Sequence, residues 1–545
     1  MTTRFNTTAD VLATSRNRAV LSLLLAGMKS SDPVVRSAAL RAAIRRRDAA
    51  THLQLIRHYS ALDEADQIVV CDAHRAVPHH AAPTLKSAIL EGDEADCATA
   101  CDIVVKSGDF EMLRTLLRAA ENKRHRHLPE LFAAITGLVD VLFQDLALWA
   151  SGVRTPGAHD SSFTRHLVLN ALEQSLSQYA LHQRREILDA FLLLAPVDNS
   201  IFLRILGDSR HPCHAATVQT LSTSQDSAIM ARLVDLLRDT DAPRAALEII
   251  AARNDVQFVN LLLHELRHPV PIRVLHNVKQ LRHIAWADSS GDLLLELDGR
   301  AQAVAVELAA ASGISRESLF NLLTRMMQGG LAEGRRMTCR ALAQFQSERA
   351  NALVRAALHD PDAGVQAAAA RQIRSRSLPD SLKQLVRLLD SPSAEVRDAA
   401  RSSLAEFNFV RYRAMFDLLS DEAAHTTGVL VHKVDTTANQ KLAEDLNSPS
   451  ISTRLRGIEM AVAMAAADDM ESQLIALTQH ENAALRKDAI LALAHCTRPE
   501  CESVLEAASR DHNGTIADAA RHSLSQRRQG KRARAKIQAA PEWPK

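Results

Sequence analysis

Leu389-Asp-Ser-Pro-Ser-Ala-Glu-Val-Arg-Asp-Ala-Ala-Arg-Ser-Ser-Leu404 decides the fold. Val396, Ala400 and Leu404 stand four residues apart, so they share one face of a helix. Ser391 reads as the cap of that helix and Pro392 as its first residue, where a missing amide costs nothing. The same three-position face recurs at Val365-Ala369-Ile373, Leu485-Ala489-Leu493 and Ile516-Ala520-Leu524, with two weaker copies at Thr427 and Thr453. Successive starts lie 31, 31, 26, 32 and 31 residues apart. A fixed period of that length is the mark of an array whose units cannot bury their apolar faces alone. Just upstream, Ser381–Leu389 carries Leu382, Leu385, Val386, Leu388 and Leu389, which reads as the partner helix of the same unit.

Working outward, cap-plus-proline pairs recur at Asp32-Pro33, Asp360-Pro361 and Ser448-Pro449, with looser versions at His211-Pro212 and Ala242-Pro243. After Pro33 come Val35, Ala39 and Ala43, the same face at the opposite end of the chain. Units are legible near 20–48, 195–225, 230–253, 317–345 and from 347 to 525, with degenerate ones expected between 50 and 190. Composition agrees: aromatics are only 3% and Gly and Pro number 18 and 17 in 545 residues, which favours Ala-lined helix seams. No long Val/Ile/Thr alternation suggests a sheet. Asp292-Leu-Leu-Leu-Glu-Leu297 is the strongest exception and reads as the start of a helix.

The pattern resembles HEAT repeats, on Leu389-Asp390-Ser391-Pro392, Val396-Arg397, Ala400 and Leu404 with their siblings at Asp32-Pro33, Val35-Arg36, Asp360-Pro361 and Val365. The resemblance covers the C-terminal third well, the first 50 residues fairly and the middle by helical periodicity. It implies a right-handed α-solenoid of antiparallel helix pairs, armadillo-like, whose members mostly serve as scaffolds and adaptors. In such repeats the Arg after the Val pairs with an inter-repeat Asp. Arg36, Arg397 and Arg486 fit that role, whereas Gln366 and Ala517 interrupt the ladder.

The expected organisation is N-terminal repeats over 1–149, a loop or hinge at 150–162, central repeats over 163–287, HEAT-like repeats over 288–525, and a basic, disordered tail over 526–545. Net charge is +1, so overall charge argues for neither nucleic acid nor membrane. The longest apolar stretches, such as Leu21–Ala26, are expected to fall short of the ~20 residues of a membrane span. Seven cysteines without a framework fit reduced thiols, and hence a cytoplasmic protein.

Nothing matches a phosphate loop, HExxH, CxxC or GxSxG, so the expectation is a non-enzyme without cofactor or metal. Cys97 and Cys101, four apart with His74, His79 and His80 upstream, have the spacing of zinc ligands; buried apolar thiols are the plainer reading. His495, Cys496 and Cys501 are read the same way. His125-Arg126-His127 reads as a helix end, and His159-Asp160-Ser161 lacks the convergence a triad needs. Tyr59, Trp149, Tyr179 and Trp286 read as core. Candidate binding residues are Arg41, Arg45 and Arg46, close to Arg47 on an N-terminal helix, and Arg527, Arg528, Lys531, Arg532, Arg534 and Lys536 in the tail.

Three functions compete. The first is a monomeric protein-interaction scaffold. The second is association with the nucleic-acid backbone through the tail, without the aromatics that stack bases. The third is an enzyme resembling the HEAT-type lyases that attach bilin pigments.

Overall fold

A computed structural model describes residues 2–150, 161–288 and 292–538. Among them the chain forms α-helices and short 3₁₀ turns and no strand. It divides into two compact units, Met1–Leu322 and Leu323–Lys545.

In the first unit two layers alternate along the chain. Thr2–Thr14, Pro33–Arg45, Glu64–Ala76, Glu94–Ser107 and Leu128–Ala150 each pack on the next. Val20–Met28, Ala49–Tyr59, Pro78–Glu91, Leu113–Glu121 and Ser161–Leu176 do the same in the other layer. The stretch expected to be degenerate is thus regular through 50–150. Its seams use Val70, Cys71, Cys97, Ala100, Cys101 and Val104, all buried, in place of the Val-Ala-Leu anchors. Small residues at these positions let helix axes approach closely.

In the second unit Ala332–Ala341, Ala363–Ile373 and Ala394–Ser403 stack in one run, and Asp421–Val434, Ile451–Ala463, Ala483–Leu493 and Gly514–Gln538 in another. Polar contacts join the runs: Arg401 Nε donates to the Lys433 carbonyl at 3.2 Å, and Lys433 Nζ meets Asp390 at 2.9 Å. The anchor residues are the core: Val365, Val396, Leu485, Ala369, Ala400, Ala489, Ile373, Leu404 and Leu493 are all fully buried. In the weak copy at Thr427 the closest approach falls on Gly428, where a Cβ would lie 2.7 Å from Tyr412 Oη and 2.9 Å from the Ala463 carbonyl oxygen.

Caps differ from expectation by two residues. Asp32 does cap its helix, accepting from Val34 N at 2.9 Å. At Asp360-Pro361 the helix instead begins after Asp362, which accepts from Val365 N at 2.9 Å, while Asp360 accepts from Asp362 N. Ser391 likewise accepts from Ser393 N, and the helix starts at Ala394. Pro361 and Pro392 therefore sit in the turn before the cap, whereas Pro33 is the first residue of its helix. Arg36 pairs with Asp66 and with Asp63, as an inter-repeat ladder requires. Arg397 and Arg486 donate to the turn carbonyls of Ser391 and His480, both at 2.8 Å. Gln366 takes the same turn position, reaching the Asp360 carbonyl at 2.7 Å, and Arg335 pairs with Asp360 through two bonds of 2.8 Å.

A second arginine position links successive repeats more deeply. Arg46, Arg253, Arg376 and Arg527 are buried, and each guanidinium reaches the C-terminal end of the equivalent helix one repeat earlier. Arg46 donates to the carbonyls of Leu12, Ser15 and Asn17, which lie 34, 31 and 29 residues back. Arg527 bonds Leu493, Cys496 and Arg498 at the same three offsets. Arg376 bonds Leu342 and Phe345, and Arg253 bonds Leu221 and Ser224. The last carbonyls of a helix have no partner within it, and a guanidinium offers five donors in a rigid fork. Its charge also opposes the negative helix end.

Several expectations are corrected. Helix Gly514–Gln538 runs through most of the segment expected to be disordered, held by buried Arg527; residues 539–545 lie outside the described residues. The expected loop at 150–162 falls largely on 151–160, also outside them. Asp292–Leu294 is a single 3₁₀ turn. Leu128–Trp149 is long and apolar enough to cross a membrane, with a mean hydropathy of 1.7. Glu130, Asp140 and Asp145 break it into short runs, which is why no span stood out in the sequence. Here its Leu131, Ile135, Leu138 and Leu142 stripe is buried against neighbouring helices of the first unit.

Two stability measurements follow. Arg376→Ala leaves helix-end carbonyls buried without donors and should lower unfolding stability by roughly 2–4 kcal/mol in urea titration. Arg387→Ala, on an exposed surface position, should stay within about 0.5 kcal/mol. Gly428→Ala forces a methyl against a backbone carbonyl and should cost about 1–3 kcal/mol; a stability equal to the parent's would show that the helices can move apart freely.

Candidate partner-binding groove

The residues singled out in the sequence do not converge. Arg41 is exposed, and Arg45, also exposed, pairs with Asp10 at 3.2 Å. Arg46 and Arg527 are buried in the helix-end bonds described above, so neither offers its charge to a ligand. Arg528 is exposed; the side chains of Lys531, Arg532, Arg534 and Lys536 lie outside the described residues. Arg47 donates to His80, whose other ring nitrogen meets the Arg45 carbonyl.

The thiols behave as packing groups. Cys97 and Cys101 are buried, and the Cys101 thiol is pushed up by its hydrogen bond with Cys97 and then by burial. His74 turns instead to Asp109, at 2.9 Å. Cys496 is pushed up to about 11 by burial, and Cys501 donates to Glu471 at 3.2 Å. Among the described residues no group of three or more His, Cys, Asp or Glu is placed to hold a metal. Tyr59, Tyr179 and Trp286 are core, but Trp149 is 60% exposed, at the end of its helix beyond the packed stripe.

The site that the structure does assemble lies in the second unit. Helices Asp421–Val434, Ile451–Ala463 and Ala483–Leu493, with the 3₁₀ turn Phe416–Leu418, enclose a groove of about 700 Å³. Each helix contributes the same short pattern: a carboxylate, then a small or apolar residue three positions on, then Ala or His at four. These are Asp421-Ala424-His425, Glu459-Val462-Ala463 and Asp488-Leu491-Ala492. Residues at those spacings share a helix face, so each of the three helices turns one acid and a pair of mostly apolar residues into the groove. Phe416, Leu419 and Ile458 complete the apolar floor. A smaller hollow of about 300 Å³ continues past Leu419 toward Phe407 and Met415.

The lining includes four carboxylates, Asp417, Asp421, Glu459 and Asp488, with His425 and His495, and no lysine or arginine. Asp417 pairs with Arg456 at 2.6 Å. Burial pushes the Asp488 carboxyl above its ordinary value; burial, then Asp488 and Asp417, do the same to Glu459. His425 Nδ1 meets the Ala463 carbonyl at 3.0 Å. No serine, cysteine or lysine lines the groove, so it holds no side-chain nucleophile of those kinds. Reading the sequence alone missed this site because its acids come from three repeats. The available signal is the acid-plus-three pattern on successive helices, visible only once those helices are known to stack.

The family of HEAT repeats matches residues 319–405. No curated protein matches the chain. Solved structures similar to it include a chain from a study of a phosphorylation switch in the cadherin and beta-catenin interaction, at 13% identity and a TM-score of 0.36, covering 93% of this chain and 99% of that one. Another comes from Kap95p bound to RanGDP, at 11% identity and 0.26, covering 97% and 77%. A third is UNC-45 from Drosophila melanogaster, at 13% identity and 0.21, covering 94% and 75%.

Two acids of the second unit, Asp488 in the groove and Asp360 outside it, should show opposite pH behaviour. Asp488 has a raised folded pKa, so its ionisation opposes folding at neutral pH, and that cost fades as pH falls through the raised value. Asp488→Asn should therefore raise the unfolding midpoint at pH 7, with the gain closing toward pH 3.8. Asp360 is the reverse. Its burial opposes ionisation, but the Arg335 bonds take the carboxyl below 3.8, so Asp360→Asn should lower the midpoint at pH 7 and the gap should close below 3.8. Thermal melts of both variants across pH 3 to 7 read the two signs.

Proposed function

We propose that this HEAT-repeat chain, an all-α solenoid, is a non-enzymatic protein-interaction scaffold or adaptor. The observation that carries the reading is the groove at 416–495, a largely apolar trough with an acidic rim built from repeat helices. Among the described residues Asp421, Glu459 and Asp488 have no ion pair, whereas Asp360, Glu406, Asp445 and Glu471 meet Arg335, Arg374, Arg413 and Arg498. The recurring anchor positions are buried in packing, which leaves binding to the outward faces between them. All seven cysteines are free and buried, which supports a reducing, cytoplasmic setting.

A second reading, contact with nucleic-acid backbone, draws on the run from Arg528 to Lys536 at the end of the last helix. Arg46 and Arg527 do not contribute to it.

Affinity capture from native lysate separates the two, using full-length protein and a chain ending at Gln529, which keeps Arg527 in place. A defined protein partner that survives nuclease and truncation is the expected result. Capture that vanishes with nuclease would overturn the scaffold reading. If phosphate contacts dominate instead, affinity for duplex DNA will fall steeply with salt and disappear in the shortened chain.

A further inference from the structure

The geometry points to one class of occupant for the groove: a basic amphipathic helix of a partner protein, lying across the three repeat helices. This deepens the scaffold reading and rests on it.

Three observations select that chemistry. The first is sign. Four carboxylates face the groove with no lysine or arginine among its lining residues. Among the described residues, no ion pair involves Asp421, Glu459 or Asp488, whereas Asp360, Glu406, Asp445 and Glu471 each meet an arginine. The nearby cations are Arg456, committed to Asp417, and Lys487. The second is arrangement. Glu459 and Asp488 stand on neighbouring stacked helices, close enough for Asp488 to raise Glu459, a separation on the order of one inter-helix distance, about 8–10 Å. Asp421 lines the groove at the start of its own helix. A helix rises about 1.5 Å per residue, so cations about seven residues apart on one flank keep that separation. The apolar residues three positions along each repeat helix run beside the acids, as the stripe of an amphipathic helix requires. The third is reach. Met415, 45% exposed, lines the adjoining hollow, and Leu418, between the groove residues Asp417 and Leu419, is 82% exposed. A small cation would leave them in water, whereas a helix of several turns covers them.

The raised carboxyl values of Glu459 and Asp488 agree with this reading. A cation arriving beside them favours the charged form, so binding relieves a cost that the free protein carries.

The test uses the full-length protein and a fluorescent synthetic helix of about 16 residues, with leucines along one face and arginines seven apart on its flank. A copy with glutamate for each arginine is the control. The expected result is saturable binding of the basic helix, weakened by salt, and no binding of the acidic one. Asp421→Asn with Glu459→Gln and Asp488→Asn should weaken binding at least about tenfold, and Leu418→Ser should weaken it separately. Because Asp488→Asn is expected to stabilise the fold, a melt of the triple variant at or above the parent's separates lost binding from lost structure. Equal binding by the triple variant, or by the acidic helix, would overturn the inference. In lysate, a nuclease-resistant partner retained by the triple variant leaves the scaffold reading standing and overturns this one. Loss of capture with nuclease overturns the scaffold reading, while the peptide titration still reports on the groove.

Discussion

A guanidinium set against the end of a helix one repeat earlier is the contact on which the array depends. Apolar seams hold neighbouring helices together, but they are non-directional and tolerate sliding. The buried arginines are not tolerant. Each must meet two or three carbonyls at fixed offsets, and a guanidinium taken out of water without them is costly. Arg376 thus fixes the register of Ala363–Ile373 on Ala332–Ala341, and Arg527 fixes the last helix on Ala483–Leu493. The arginine stands eleven residues after its anchor: Val365 to Arg376, Ile516 to Arg527, Val35 to Arg46. Where a repeat lacks it, the same position holds Phe407, Ala438, Met464 or Cys496. Of these, Cys496 still donates through its thiol to the Ala467 carbonyl, 29 residues back.

The anchors were legible because a period of four on a helix has one structural meaning, and those side chains are buried where the period places them. The arginines were not. A charged residue is normally a surface residue, so Arg46 and Arg527 read as members of exposed basic clusters when their burial has the opposite cause. The same error made residues 526–538 look unstructured. The caps failed more mildly: proline marks the turn before the helix as readily as its first residue, and only the Asp360 and Asp362 geometry tells the two apart.

The groove was illegible for a different reason. Asp421, Glu459 and Asp488 are unremarkable singly, and each is a common surface residue. Their meaning comes from adjacency across repeats, which requires knowing that three particular helices stack and which faces they turn outward. Gly428 belongs to that knowledge. It permits Asp421–Val434 to approach Ile451–Ala463 closely enough for one trough to span both. A glycine inside a helix costs stability locally, and here the closer contact offsets that cost.

The fixed offsets of the buried arginines also constrain how such a chain changes over generations. A short insertion between Leu342 and Arg376 moves the guanidinium away from the carbonyls it must reach, and its burial then has no compensation. Gain or loss of a complete unit keeps every offset intact. Length variation among descendants should therefore come in steps of a whole repeat, or be confined to loops that bulge outward without altering the path between one helix end and the next.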